Sequence, residues 1–130
     1  MSEIDKIEFW LNSAEYDFKT AEAMFETKRF LYVGFMCHLT IEKTLKAYYI
    51  KVKNSIPPYT HNLQFLAEQS GIFYNLSEEQ KDFIDLLQPL NIRARYPHSK
   101  DELFKFLTES KCKYILEKTL ELMLWIKKKF

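Results

Sequence analysis

FLYVGFMCHLTIEKTLKAYYIKVK, residues 30–53, is a proline-free stretch that begins almost wholly apolar and ends charged. At helical geometry it makes about seven turns. At 100° per residue, Phe30, Gly34, Cys37, Ile41, Leu45, Tyr48 and Val52 fall on one stripe, and Leu31, Phe35 and Leu39 make a second. A helix that is apolar nearly all round belongs in the middle of a domain, touched by several others. Gly34 costs such a helix about 1 kcal/mol relative to alanine, which points to close approach of a neighbouring backbone. His38, Glu42 and Lys46, at i, i+4 and i+8, line one polar strip, with Glu42 and Lys46 in the favourable order for an ion pair. Two readings of that strip stand side by side. One is a half-buried histidine satisfied by a carbonyl and followed by a solvated salt bridge; the other is one wall of a polar cleft.

The remaining composition agrees with a helical globule. The 130 residues are read as a single domain, residues 1–130, long enough to bury a core without staples. Apolar residues make up 47% of the chain, against only 2 glycines and 4 prolines, which argues against disorder and against a β-sandwich. A net charge of +1 excludes the global basic field of a general DNA binder. Charge is nevertheless uneven. Between residues 28 and 75, Lys28, Arg29, Lys43, Lys46, Lys51 and Lys53 face only Glu42 and Glu68, and residues 86–100 hold Arg93, Arg95 and Lys100 with no acid. Cys37 and Cys112 sit on apolar helix faces, as buried reduced thiols do. The opening MSEIDK lacks the basic and apolar regions of a signal peptide, and no apolar run approaches the ~20 residues of a membrane span. A cytoplasmic protein is expected.

Taken in order, the first helix should start after Ser2, bury Ile7, Trp10, Leu11, Ala14, Phe18, Ala21 and Phe25, and show Glu8, Glu15, Asp17, Lys19 and Glu22 to solvent. Residues 26–28 then turn the chain into the central helix, giving an antiparallel hairpin. Pro57 and Pro58 in SIPPYTH end that helix's reach. Thr60 is the expected N-cap of a short third helix that stops at Gly71, with His61 near its N-terminus, where the dipole and free amides favour an anion. Ser77 with Gln80 reads as a capping box for a fourth helix. It buries Phe83, Leu86, Leu87, Leu90 and Ala94, kinks at Pro89 and ends at Arg95–Tyr96 before Pro97. Ser99 with Glu102 opens the last helical region. There a phase slip between Leu103, Phe106 and Leu107 and the stripe Cys112, Ile115, Leu116, Thr119, Met123, Ile126 and Phe130 predicts a break near Thr108–Ser110. The fold class is all-α, with three long and two shorter helices. Phe9, Tyr32, Tyr49 and Phe35 are left as an exposed aromatic surface suited to self-association.

With Gly34 and Gly71 as the glycines, no phosphate-cradling loop or dinucleotide fingerprint can be written. No CxxC, HExxH or ligand-spaced His/Cys cluster is present, so neither a metal nor a cofactor is expected. Residues 91–100, NIRARYPHSK, place Arg93 and His98 in an R-x4-H spacing. A histidine can take a 2′-hydroxyl proton or protonate a leaving oxygen while an arginine holds the phosphate, which suits metal-independent RNA cleavage. The same residues also read as solvated arginines beside a helix-terminal histidine.

HLTIEKTLKAYYI (residues 38–50), THNL (residues 60–63) and RARYP (residues 93–97) together resemble the HEPN family, the higher eukaryote and prokaryote nucleotide-binding domain. The likeness covers essentially the whole chain. It implies a five-helix up-and-down bundle, commonly a homodimer, often encoded beside a minimal nucleotidyltransferase as a toxin–antitoxin-like pair. It further implies a nucleotide or RNA phosphate bound by Glu42, Lys43, Lys46, His61, Arg95 and Tyr96, with Pro97 completing the motif. The family's ribonuclease branch would use Arg93 and His98 as its catalytic pair. Here Ala94 follows Arg93 and Ser99-Lys100 follows His98, so the H-x-Y of that branch, and its modified tyrosine, are not present.

Overall fold

A computed structural model describes the backbone of residues 1–91 and 97–130 and the side chains of residues 1–91 and 101–130. Helix α1 spans Glu3–Glu26 and opens as expected, because the Ser2 hydroxyl accepts from the Asp5 amide while the Asp5 carboxylate accepts from the Ser2 amide. Thr27, Lys28 and Arg29 then reverse the chain, with Lys28 in left-handed geometry at φ 60°. Helix α2, Phe30–Lys53, follows and packs along α1. It ends at Asn54, a left-handed cap whose amide donates to the Ile50 carbonyl at 2.8 Å.

Helix α2 is the axis of the fold. Val33, Cys37, Ile41, Leu45 and Ala47 are wholly buried, and helices on several sides cover them. Gly34 is explained by close approach, but of side chains rather than backbone: a β-carbon there would lie 3.2 Å from Cδ1 of both Leu90 and Leu107. Phe35, assigned from sequence to an exposed aromatic surface, is buried, whereas Phe9 and Tyr32 are exposed. Burial raises the Cys37 thiol to about 12 and the Cys112 thiol to about 11, so neither is a thiolate near neutral pH.

The shorter elements depart from the sequence pattern in instructive ways. Helix α3 runs Leu63–Ser70, and its N-cap is Asn62 rather than Thr60. Asn62 Oδ1 accepts from the Phe65 amide, while the Thr60 hydroxyl accepts from the Asn62 amide one step earlier. Gly71 ends α3 at φ 84°, and a 3-10 turn over Ile72–Asn75 leads to α4, Glu78–Leu87, with the expected Ser77/Gln80 capping box. Pro89 breaks this helix rather than kinking it. Residues Gln88–Leu90 tighten to a 3-10 turn and Asn91 is extended, because proline removes an amide and its ring crowds the preceding turn. The rest of the expected fourth helix, residues 92–96 and with them Ala94, lies outside the described residues.

Helix α5, Pro97–Phe106, starts two residues before the expected Ser99 cap, with proline at the first helical position, where its missing amide is no loss. The chain then breaks where the phase slip required. Thr108 caps α6, Glu109–Lys127, by accepting from the Lys111 amide at 3.2 Å. Cys112, Ile115, Thr119, Met123 and Ile126 of α6 face the core as the sequence stripe specified. Lys127 pairs with Glu15 of α1, tying the C-terminal end of α6 to the first helix. The class is all-α, with α5 and α6 forming the interrupted last helical region. Among the described residues, no helix is long and apolar enough to cross a membrane.

Candidate functional site

The polar strip of α2 is buried, and it is organised around one carboxylate. Glu42 is 4% exposed and divides its oxygens between two partners. Oε2 accepts from the Lys46 ammonium at 3.1 Å, the expected i,i+4 pair, and Oε1 accepts from His61 Nδ1 at 2.8 Å. Lys46 is itself nearly buried, and its Nζ lies 5.3 Å from the centre of the Trp10 ring on α1. His61 is 47% exposed, so a buried anion grips an imidazole that faces solvent. A carboxylate can only accept, which puts the imidazole proton on Nδ1 and leaves Nε2 with a lone pair when the ring is neutral. Among the described residues, no side chain or carbonyl partners that Nε2.

The backbone of His61 is fixed as firmly as its ring. Its carbonyl accepts from His38 Nε2 and from Gln88 Nε2, each at 3.1 Å, while Gln88 Oε1 accepts from the Leu63 amide at 2.7 Å. His38 is wholly buried. Burial lowers its pKa to about 4, against the opposing pulls of Glu42 and the His61 carbonyl. It is therefore neutral near pH 7, with its proton on Nε2 for the His61 carbonyl. The 3.8 Å separation between His38 Nδ1 and Glu42 Oε1 is then no ion pair, and among the described residues Nδ1 has no hydrogen-bond partner. Of the two readings of the strip, the histidine satisfied by a carbonyl is correct for His38. The solvated salt bridge is not what forms, since Glu42 and Lys46 are both buried.

Several residues nominated by sequence meet here, and others do not. Glu42, Lys46 and His61 form one cluster. Lys43 turns instead toward α1, where Asp17 Oδ2 lies 2.7 Å and the Ser13 hydroxyl 2.7 Å from its ammonium. Asp17, expected on the solvent face of α1, is buried by this contact. Arg93, Arg95 and Tyr96 lie outside the described residues. His98 falls in the first turn of α5, and its side chain also lies outside the described ones. The amides at the start of α3 are engaged internally, Leu63 by Gln88 and Phe65 by Asn62, which leaves less for an anion than the sequence suggested.

Sequence reasoning missed Gln88, and it placed Trp10 only in the core. It also passed over Tyr59, which is 97% exposed, with its ring centre 6.2 Å from that of His61. The cluster is thus edged by an aromatic ring on each flank, Trp10 beside Lys46 and Tyr59 beside His61. The exposed Tyr59 ring can stack a planar group beside the fixed acceptor of His61. Among the described residues, no group of three or more His, Cys, Asp or Glu side chains is placed to hold a metal ion.

Comparison with known proteins finds two likenesses. The family model described as HEPN domain matches residues 7–129. The crystal structure of TT1696 from Thermus thermophilus superposes with a TM-score of 0.80 at 14% sequence identity, covering 96% of this chain and 98% of that one. At that identity the likeness concerns the fold alone. No curated protein matches.

Proposed function

The chain belongs to the HEPN family, and from that premise we propose that it is a single helical domain binding a nucleotide or an RNA phosphate at the Glu42–Lys46–His61 cluster. Membership ties it to nucleotide- or RNA-related function in general; the seat and the ligand are the proposal. One observation carries it. A buried carboxylate holds a half-exposed imidazole at 2.8 Å between two aromatic edges, with the His61 backbone pinned by two further side chains. A solvent-facing ring held this fully is what a binding site asks of a recognition group.

In this reading Tyr59 and Trp10 supply stacking surfaces, and Arg95 and Tyr96 complete the seat by contacting phosphate and base. Lys43, held by Asp17, braces α2 against α1 rather than touching the ligand. The domain works in the cytoplasm as a homodimer and as partner of a minimal nucleotidyltransferase in a toxin–antitoxin-like pair.

The test is titration of the purified protein with mononucleotides and with short RNA, followed by fluorescence and repeated with His61→Ala and Arg95→Ala. Saturable binding weakened about tenfold or more by either substitution supports the seat. Binding untouched by both moves the ligand elsewhere, and no binding leaves a helical interaction module. RNA cleavage in EDTA that His98→Ala abolishes would replace the binding reading with a metal-independent ribonuclease using Arg93 and His98.

A further inference from the structure

Resting on that reading of the site, we infer that His61 Nε2 is the acceptor for a ribose 2′-hydroxyl, so that the seat selects ribonucleotides over deoxyribonucleotides. The inference begins with the tautomer. Because Glu42 Oε1 accepts from Nδ1 at 2.8 Å, the neutral ring must present a lone pair, not a proton, at Nε2. A lone pair cannot bind phosphate oxygen, which also only accepts, so the neutral ring is matched to a ligand donor. Glu42 cannot turn away to release the ring, because its other oxygen is held by Lys46 at 3.1 Å and the carboxylate is buried. Nor can the ring shift by moving its backbone, since His38 and Gln88 both donate to the His61 carbonyl. The acceptor is therefore preorganised, which is where a single hydrogen bond counts most.

The donors on a nucleotide that could reach such an acceptor are a ribose hydroxyl and, on the base, an exocyclic amine or a ring N–H. The aromatic edges favour the sugar. Tyr59 is 97% exposed and its ring centre is 6.2 Å from that of the imidazole, so a base stacked on it sets its own ribose beside His61. Glu42 acts only through His61 and is a positioning residue.

Anisotropy titrations of the native protein with a labelled five-nucleotide oligouridylate, its 2′-deoxy counterpart and its 2′-O-methyl counterpart test this. All three carry the same charge and the same base, so its N3–H donor is common to them. The 2′-O-methyl sugar keeps the RNA-like pucker but has lost the donor. The ribo-oligomer is expected to bind roughly fivefold to tenfold more tightly than both others, the worth of one such hydrogen bond. His61→Phe should bind all three alike, and Glu42→Gln, whose amide can donate to Nδ1 and permit the other tautomer, should narrow the preference. If Glu42→Gln fails to fold, the three ligands on native protein and His61→Phe still decide. Equal affinity of the native protein for all three overturns the inference and leaves nucleotide binding standing. A preference retained in His61→Phe overturns the assignment to His61. Binding of none of the three overturns the nucleotide reading, and this inference falls with it.

Discussion

Replacing Glu42 with leucine should remove a substantial part of the margin by which the domain is stable, and replacing its partner as well should restore it. The two charges lie 3.1 Å apart with side chains 4% and 7% exposed. At an effective dielectric constant of ~20, their attraction is about 5 kcal/mol before the cost of desolvating them. In Glu42→Leu the Lys46 ammonium keeps its burial and loses its counterion, a change that costs about 3–5 kcal/mol in comparable sites. The lower end is expected here, because the lysine stem can swing the ammonium outward at the expense of its place over Trp10. His61 also loses a partner, but it is half-exposed and water replaces it. Against a total of about 5–15 kcal/mol for a domain, a loss of about 3 kcal/mol is large. With a urea slope of ~1.5 kcal/mol/M it moves the midpoint down by about 2 M. Circular dichroism through a urea series reads this directly. Glu42→Leu/Lys46→Met, which removes both charges and keeps the volume apolar, should return to within about 1 kcal/mol of native. A single variant that loses less than about 1 kcal/mol, or a double variant as unstable as the sum of the two singles, would refute the picture of a mutually dependent buried pair.

Three further outcomes follow from the same geometry. His38 is held at about 4, below the ordinary value of 6.5, so the unfolded chain binds the extra proton first. Stability should therefore be unaffected by this group above pH 6.5 and fall as pH drops toward 4, by about 3 kcal/mol. Urea midpoints at several pH values should show His38→Gln, which still donates to the His61 carbonyl and still faces Glu42 and Lys46, with a shallower slope. Gly34→Ala exchanges a gain of about 1 kcal/mol in helix propensity for pressure on two leucine methyls at 3.2 Å. Its thermal midpoint should stay near native, whereas Gly34→Leu should destabilise by several kcal/mol. Finally, purified protein incubated with RNA in EDTA should leave the RNA intact, as the binding reading requires. Products that disappear with His98→Ala would show the Arg93–His98 chemistry instead.

What the sequence disclosed follows from the range of the forces involved. The helix start after Ser2 and the capping box at Ser77 are local and came out as expected, as did the break before α6, because a phase slip in apolar residues cannot be absorbed by a continuous helix. Thr60 and Asn62 are both competent caps two residues apart, and the choice fell to Asn62 once the Gln88 side chain had engaged the Leu63 amide. No pattern within α3 could announce that contact. Pro89 was legible as a disturbance, but whether it kinks or breaks a helix depends on what the following residues pack against. Asp17 looked solvated because its partner, Lys43, is far away in sequence and meets it only when α1 and α2 pair. In the site, Glu42 and Lys46 share a helix and their pairing was visible from spacing. Trp10, Tyr59 and Gln88 reach the cluster from three other segments, so nothing in their own neighbourhoods marked them.

The cluster on α2 is hard to explain as a contribution to folding. A buried ion pair adds little over a well-packed apolar pair of similar volume, and α2 is otherwise so apolar that leucine and methionine would fit its pattern at positions 42 and 46. His38 in the same strip adds a liability in acid, since its burial holds it neutral and stability falls as the pH drops below 6.5. All three residues nevertheless converge on one neighbour. Glu42 binds the His61 ring, Lys46 anchors Glu42, and His38 binds the His61 carbonyl. Each is costly as a core residue and effective as a support. His61 is also the half-exposed member of the set, with Nε2 unpartnered among the described residues, so three buried groups that hold it in place are what the proposed seat requires.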